Sequence, residues 1–474
     1  MQYKDAVEWL TQRPLLIFLL LVTVGAGGYA GAFLGAFQYD DGFAILLNPH
    51  LDRAEVFVRH LDHMVRPVLY ATFLFDRSIY AHNPAGYHLL NLLLHLGSGL
   101  LLYLILCHAV TKEARPITFW TVLLFLIHPI QTETVTYISG RASGLMAFFY
   151  LLAFFLYIKA SDPEDHRHTR RLFMSGAIVS LLLSLGSKET AMTFPLALLL
   201  WEVLIHRLDG AAFRKRFVSF HLPFWFVVFG AAAWVWWHPR YSALAQFSLD
   251  LRPLWDNLLS ELHAVAYALQ LFSCPWKLNF DHDLPLFSSL FQWPLPLDVL
   301  VLSTLAAVAL FLSRRLPLLS FGIGWFFIQI LPTSLIPRVD LLSERNLYLA
   351  SIGLILAFVV LGDRLMHWLM VILPRPRMTR NAAYSITLAM VLALGVATHQ
   401  RNLLYRDEVS LWSDTVRKSP NKARPHNNLG HAYAMQDNWD RAIEEFRIAA
   451  RLDPDYAPAR KNLRDAYLHQ VGRQ

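Results

Sequence analysis

The chain is built mainly from long, continuous runs of apolar residues. The runs are about 18 to 24 residues long, and each can cross a hydrocarbon core of roughly 30 Å as an α-helix. A porin-like barrel would instead need strands that alternate apolar and polar residues with a period of two. The pattern therefore predicts an all-α polytopic membrane protein and excludes both a soluble globule and a disordered chain.

We expect about eleven membrane-spanning helices, which together form a membrane domain over residues 1–399. The predicted spans cover residues 14–37, 86–107, 117–137, 144–158, 172–185, 190–205, 217–237, 295–312, 316–331, 346–361 and 383–399. Residues 254–272 are also apolar, but Glu261, His263 and Gln270 favour a helix that lies at the membrane interface. Two long segments between the spans, 38–85 and 238–294, then fall on the same side of the membrane.

Short basic clusters between the spans predict the orientation. Examples are Lys159 with Arg170, and Arg314 with Arg315. The positive-inside rule places these clusters and residues 1–13 in the cytoplasm, and a span at 254–272 would reverse the rule for the second half of the chain. Both long segments and everything after residue 399 are therefore predicted to lie outside.

The formal net charge of +7 needs an explanation, because basic proteins often bind nucleic acid. Here the basic residues lie between apolar runs rather than on one soluble face, so no nucleic-acid partner is predicted. Cys107 and Cys274 are the only cysteines, and they fall on opposite sides of the predicted membrane. Neither a disulfide framework nor a thiolate metal site is expected.

Residues 400–474 are polar and charged and follow a period of about 34 residues, which is typical of a tetratricopeptide (TPR) repeat. The repeat positions counted from Ala423 are occupied by Leu429, Gly430, Tyr433, Ala442, Phe446, Ala449 and Pro454. Trp412 and Pro420 indicate a half repeat before this unit, and Asn462 begins another helix after it. Because isolated arrays need about three units, docking on the membrane domain is favoured over a free peptide-binding groove, although the tail could also bind a protein.

Asp40 and Asp41 are candidate catalytic residues because they directly follow the first predicted span. Desolvation and mutual repulsion are expected to raise the pKa of one carboxylate, which suits base chemistry. Asp40 is slightly favoured as the base because it is nearer the helix end. The alternative is a solvated pair that simply ends the helix.

His88, Asn91 and His95 lie at i, i+3 and i+7 of the second predicted span and therefore share one helical stripe. Polar residues at this depth indicate a polar bundle interior. The two histidines are about two turns apart, so hydrogen bonding or helix packing is favoured over a metal site. A divalent cation is possible, but the sequence does not require one.

Further candidate site residues are polar or charged and lie near the outer ends of the spans. They are His128, Glu133, Arg141, Lys188, Glu189, Glu344 and Arg345, and with His88 and Asn91 we expect them to bind substrate. Glu344 and Arg345 could instead form a simple structural ion pair. Together with Asp40 and Asp41, the cations predict a polar cavity suited to a lipid phosphate.

Short motifs follow one another in order along nearly the whole membrane region. They are residues 39–41 (YDD) with Asn48, 66–67 (RP), 86–91 (GYHLLN) with His95, 128–133 (HPIQTE), 139–141 (SGR), 187–190 (SKET) with Pro195, 331–334 (LPTS) and 344–349 (ERNLYL). In these motifs and in its repeat tail the chain resembles the transmembrane and TPR-containing protein O-mannosyltransferases and their bacterial relatives, which have the GT-C glycosyltransferase fold. It departs from them in its short repeat array and in Asn346.

The resemblance implies a glycosyltransferase that uses a polyprenyl-phosphate sugar, mannose or a similar hexose. An aspartate on an early outer loop would act as base, and transfer to a protein or glycan hydroxyl, foremost Ser or Thr of an exported protein, would invert the anomeric carbon. It also implies a bacterial inner membrane, with the active site and the TPR tail in the periplasm. The chemistry agrees, because an attacking hydroxyl needs a base and a departing phosphate needs cations.

A transporter or flippase of lipid-linked sugars, with the TPR tail as a partner-binding module, is the alternative function. Transporters typically show related halves and broken helices near the midplane. Here the candidate polar groups gather at one face and the halves show no evident repeat, so the enzyme is favoured. A scaffold for envelope assembly would give Asp40, Asp41 and Arg345 no role.

Overall fold

The computed structural model describes residues 13–111, 114–162, 166–208, 210–374 and 376–471, and these residues form helices and connecting segments without any β-strand. The α-helices are α1 Pro14–Gly28, α2 Ala54–Arg59, α3 Pro67–Tyr80, α4 Pro84–Ala109, α5 Arg115–Ile127, α6 Thr132–Val135, α7 Arg141–Ala160, α8 Arg167–Ser187, α9 Phe194–Trp201, α10 Gly210–Arg216, α11 Leu222–Trp237, α12 Pro239–Leu251, α13 Leu254–Ser273, α14 Leu295–Leu312, α15 Pro317–Leu335, α16 Leu347–Ile372, α17 Pro376–Leu404, α18 Glu408–Lys418, α19 Ala423–Met435, α20 Trp439–Leu452 and α21 Ala457–Val471. Residues 1–12 of the predicted cytoplasmic start lie outside the described residues. The all-helical membrane architecture is confirmed.

Nine helical segments in the described part of the chain are long and apolar enough to cross a membrane. They are Leu15–Leu34, Pro84–Ala109, Ile138–Ala160, Glu189–His206, Gly210–Trp237, Leu295–Leu312, Pro317–Leu335, Glu344–Ile372 and Met378–Leu404. The other two predicted spans correspond to α5, which is apolar but shorter, and to α8, which begins with a basic turn. Helix α13 is not among the nine.

The predicted span at 117–137 is wrong at its outer end. Helix α5 ends at Ile127, and His128 is extended with φ −73° and ψ 130°. Pro129 explains this end, because proline disfavours helical geometry in the residue before it and cannot donate to a helix carbonyl. The chain then passes through two 3₁₀ turns and the short helix α6 before α7 begins. This irregular connection carries Glu133 and Ser139 to the outer end of the bundle.

Helices α15 and α16 cross with their backbones in contact. A Cβ atom added to Gly322 would lie 2.5 Å from the Gly353 carbonyl oxygen, and one added to Gly353 would lie 2.1 Å from the Gly322 carbonyl oxygen. Small residues at such a crossing let two membrane helices approach closely. The crossing fixes how the outer ends of these helices, which carry several candidate residues, lie relative to each other.

The tail forms the predicted helical repeat and packs on the end of the bundle that carries Asp40 and Glu344. Helices α19 and α20 make one hairpin, in which the Phe446 ring occupies the space beside Gly430, and α18 and α21 flank it. Asp281 of the second outer segment accepts salt bridges from Lys422 and Arg424, each at 2.6 Å. The geometry therefore corresponds to the docked arrangement. The proposed domain boundary after residue 399 falls inside α17.

Candidate functional site

The acidic pair lies where the chain leaves the first membrane helix, but its two carboxylates have different surroundings. Asp41 is buried, and its carboxylate accepts the backbone N–H of Gln38 at 2.9 Å, the backbone N–H of Ser139 at 2.8 Å and the Ser139 hydroxyl. Burial raises the pKa of Asp41 to about 7, although these hydrogen bonds favour the charged form. Asp41 thus ties residues 38–41 to the turn before α7.

Asp40 is instead accessible, because 46% of its side chain is exposed. Its backbone N–H donates to the Tyr137 hydroxyl at 3.1 Å, and its carboxylate lies 3.8 Å from Nη1 of Arg345. Of the two acids, only Asp40 offers its carboxylate to a molecule that approaches from outside. Arg345 is the nearest cation in the described structure that pairs with it.

Arg345 is held from its other side by Glu133, a buried residue of α6. Nε of Arg345 lies 3.6 Å from the Glu133 carboxylate, and the Arg345 backbone N–H donates to it at 3.0 Å. Burial raises the pKa of Glu133, and the nearby Arg345 charge opposes this shift. Gly140 allows the tight packing here, since a Cβ atom at this position would lie 2.1 Å from the Glu133 carbonyl oxygen.

The interpretation of Glu344 and Arg345 as an ion pair with each other is wrong. Glu344 is fully buried and pairs with Arg401 at 2.8 Å, while it also accepts hydrogen bonds from the Asn279 backbone N–H at 2.6 Å and from His282 at 3.1 Å. Neighbouring residues of the short 3₁₀ turn at Glu344–Asn346 point to different sides. Glu344 therefore braces the tail against the outer segment, and Arg345 faces the acids.

A group of cations surrounds a small cavity beside Arg345. Lys188 lines it and donates to Ser143 Oγ at 2.7 Å and to Asn346 Oδ1 at 2.8 Å. The other lining residues are Met146, Thr190, Gln329, Thr333, Arg345, Asn346 and Leu349. Burial lowers the pKa of Lys188 well below its usual range, and the charges of Arg66, Arg338 and Arg345 add to the shift. The cations that line the cavity itself are Lys188 and Arg345, and both can pair with an anionic ligand.

Arg66 and Arg338 were not predicted as site residues. Arg66 forms a two-point pair with Glu189, with N–O distances of 3.0 and 2.6 Å, and this pair places the predicted residue Glu189 beside the cation group. Arg338 is a second contributor, and burial together with Arg345 lowers its pKa. The sequence signal for Arg66 was its place in one of the short motifs, and the signal for Arg338 was its place in the polar cluster at residues 332–346, directly before a predicted span.

Arg141 does not lie at the cavity, contrary to the expectation that it holds phosphate. Its guanidinium is fully buried, pairs with Asp76 at 2.6 Å and donates to Asn91 at 2.6 Å and to the Tyr87 carbonyl oxygen at 2.9 Å. It also lies over the Phe73 ring at 4.7 Å from the ring centroid. These contacts give Arg141 a structural role that joins α3, α4 and α7.

Comparisons with known proteins agree with the predicted repeat and with the predicted family resemblance. The family model for the tetratricopeptide repeat matches residues 423–456, which is the unit predicted from Ala423. Over 95% of its length the chain is 28% identical to protein O-mannosyl-transferase Tmtc3 of Drosophila melanogaster. It is also 25% identical, over 92% of its length, to protein O-mannosyl-transferase F38B6.6 of Caenorhabditis elegans and to human protein O-mannosyl-transferase TMTC1. The resemblance to this family is confirmed.

The chain spans 57%, 63% and 55% of the lengths of these three protein O-mannosyl-transferases, which is less than two thirds of each. Among solved structures, it is similar to the crystal structure of ArnT from Cupriavidus metallidurans bound to undecaprenyl phosphate. That comparison has a TM-score of 0.44 and 15% identity, and it covers 96% of this chain and 77% of ArnT.

The three candidate histidines of the membrane region form hydrogen bonds with other groups of the same chain. His88 lies 3.2 Å from the Gly35 carbonyl oxygen, His95 2.8 Å from the Tyr348 hydroxyl, and His128 3.1 Å from the Phe272 carbonyl oxygen. Within the described ranges, no group of three or more His, Cys, Asp or Glu side chains could hold a metal ion. The contacts of these buried histidines correspond to the packing and hydrogen-bonding interpretation.

Proposed function

We propose that the protein is a membrane glycosyltransferase that transfers a hexose, mannose or a similar sugar, from a polyprenyl-phosphate donor to a hydroxyl of an exported protein, foremost on Ser or Thr. The observation that carries the proposal is the exposed Asp40 carboxylate at 3.8 Å from Arg345, which also lines the cation-rich cavity. A base thus stands beside an anion-binding site at one end of the bundle. The similarity to protein O-mannosyl-transferases supports the same reaction class.

In this mechanism Asp40 accepts the proton of the acceptor hydroxyl while the hydroxyl oxygen attacks the anomeric carbon. The bond between that carbon and the phosphate oxygen breaks, and its electron pair stays on the phosphate. Attack from the face opposite the phosphate inverts the anomeric carbon. The proton on Asp40 then passes to water, because this side chain is accessible.

The leaving phosphate gains negative charge, which Arg345 and Lys188 are placed to stabilise. Arg345 can offer two parallel N–H groups to phosphate oxygens, while Lys188 acts as a compact charge. Burial lowers the pKa of Lys188, but a bound phosphate favours its charged form, so donor binding and protonation of Lys188 reinforce each other. Arg66 and Arg338 add to the positive potential.

The proposed setting is a bacterial inner membrane, with the cavity and the TPR tail in the periplasm. The donor chain would lie in the outer leaflet, and the phosphate would enter the cavity from the membrane. The docked tail lies at the same end of the bundle as Asp40, so a protein acceptor and the tail share one compartment. The TPR unit could contact that acceptor.

The test uses the full-length protein in lipid vesicles with a synthetic polyprenyl-phosphate mannose and a Ser/Thr peptide, and mass spectrometry detects the glycosylated peptide. We expect Asp40→Asn to lower kcat at least about a hundredfold with donor KM nearly unchanged, the usual scale for loss of a general base. Asp62→Asn is the control, because Asp62 is an exposed acid of the same outer segment.

Unchanged turnover in Asp40→Asn would contradict the assignment of the base. The flippase alternative has its own signature in the same vesicles. A protein that moved the lipid-linked sugar between leaflets without modifying any hydroxyl would overturn the proposed reaction.

A further inference from the structure

The first helix of the tail contacts the residue that precedes Asp40. The Tyr39 backbone N–H donates to the Glu408 carboxylate at 3.2 Å, across 369 positions of sequence. The Tyr39 ring meets the Trp412 ring edge-to-face, with centroids 5.3 Å apart. Both Glu408 and Trp412 belong to α18, so this helix holds the backbone and the side chain of Tyr39.

Tyr39 needs such support because its φ angle is 43°. This left-handed conformation crowds the Cβ atom of any residue other than glycine, and it persists only where surrounding contacts impose it. The turn directs the Asp40 backbone N–H to Tyr137 and the Asp41 carboxylate to Ser139. The conformation of Tyr39 therefore sets the position of the Asp40 backbone, from which the carboxylate extends.

The residues before Tyr39 are held by the same end of the chain. The Tyr405 carbonyl oxygen accepts the Gln38 side-chain amide at 3.0 Å and the Ala36 backbone N–H at 3.3 Å. Phe280 completes the contact, since its ring lies 5.3 Å from Trp412 and 5.2 Å from Tyr137, measured between ring centroids. The segment from Ala36 to Tyr39 is thus clamped by the end of α17, by α18 and by the second outer segment.

We infer that Glu408 and Trp412 are positioning residues for Asp40, so that the tail is part of the catalytic apparatus and not only a site that recruits acceptors. The inference rests on the proposed function, in which Asp40 is the base. It separates two roles of the tail. Recruitment by the TPR hairpin affects only protein acceptors large enough to contact α19 and α20 while they are bound at Asp40, whereas positioning affects every acceptor, including a short peptide.

The experiment compares Glu408→Ala and Glu408→Gln in the full chain in lipid vesicles, with Glu444→Ala as the control on an exposed tail position. Glu408→Ala removes the acceptor for the Tyr39 N–H, and Glu408→Gln keeps an acceptor oxygen. With a short Ser/Thr peptide, we expect kcat to fall about tenfold or more in Glu408→Ala at unchanged donor KM, because small displacements of a catalytic group cost large factors in rate. Glu408→Gln and Glu444→Ala should keep kcat within about threefold of the wild type.

Equal kcat of Glu408→Ala and wild type on the short peptide would overturn the inference, and so would an equal loss in Glu444→Ala. A second measurement does not depend on the reaction. Hydrogen exchange at the backbone amides of residues 38–41 should be faster in Glu408→Ala than in wild type, and unchanged in Glu444→Ala. If wild type transfers no sugar, the proposed function fails, and the exchange rates still decide whether α18 orders this segment. Equal exchange rates would refute that role.

Discussion

The buried carboxylate of Asp41 predicts an unusual dependence of stability on pH. Its pKa is raised from 3.8 to about 7 in the folded protein. A carboxyl group with a raised folded pKa favours the fold most below its unfolded pKa, and this contribution is lost as the pH rises through 7. With about 1.4 kcal/mol per pKa unit, the protein loses on the order of 4 kcal/mol between pH 4 and pH 8 through this group.

Asp41→Asn removes the titration. Its amide NH2 group replaces one of two oxygens that accept hydrogen bonds from Gln38 and Ser139, so the variant carries a constant loss of stability that does not depend on pH. The stability of the wild type relative to the variant should therefore fall by on the order of 4 kcal/mol between pH 4 and pH 8. Thermal unfolding of the two detergent-solubilised proteins between pH 4 and pH 8 measures the difference in their stability. The titration of all other groups cancels in this difference. Asp62→Asn, at an exposed position, should follow the wild type at every pH. Parallel curves for wild type and Asp41→Asn would refute the reasoning.

The remaining predictions concern the cations and the sidedness. Arg345→Lys should raise donor KM about tenfold, since lysine lacks the planar fork that binds two phosphate oxygens, and steady-state kinetics at varied donor concentration would show it. Arg141→Met should lower the free energy of unfolding by about 3–5 kcal/mol, because it leaves the buried Asp76 carboxylate without its partner. Adding Asp76→Asn should restore part of that stability. A large change in donor KM would contradict the structural role of Arg141. In a protein that lacks both native cysteines (Cys107→Ser and Cys274→Ser), Asp455→Cys should react with a membrane-impermeant maleimide added from outside, and labelling only after lysis would show that the tail is cytoplasmic.

The sequence predicted the membrane helices and the repeat because both depend on local patterns. A lipid-crossing helix must be continuously apolar, and the TPR hairpin needs small and large residues at fixed spacing, as Gly430 and Phe446 illustrate. The prediction failed at residues 128–137, where it carried the span past Pro129, although the helix ends at Ile127 and residues 131–134 (QTET) are polar. Apolar composition alone did not indicate where the proline ends the helix.

The site was harder to predict, since identical residue types take different roles through partners far away in sequence. Arg141 and Arg345 both follow polar motifs near the outer ends of spans, but Arg141 is neutralised by Asp76 inside the bundle while Arg345 faces the cavity. Asp41 and Asp40 differ in the same way, because the turn at Ser139 covers the Asp41 carboxylate and leaves that of Asp40 accessible. Such differences depend on tertiary packing, which no spacing along the chain encodes.

The contact between Gly322 and Gly353 has a mechanical consequence for the cavity. Gln329 of α15 and Asn346 at the start of α16 both line it, each about two helical turns from the crossing. Because the two backbones touch, these helices cannot approach further, and sliding past each other would force each glycine against a neighbouring side chain. The wall of the cavity that α15 and α16 form is therefore rigid. If the proposed lipid donor binds in the cavity, the space for its head group is expected to come from movement of the opposite wall, the α8–α9 connection that carries Lys188.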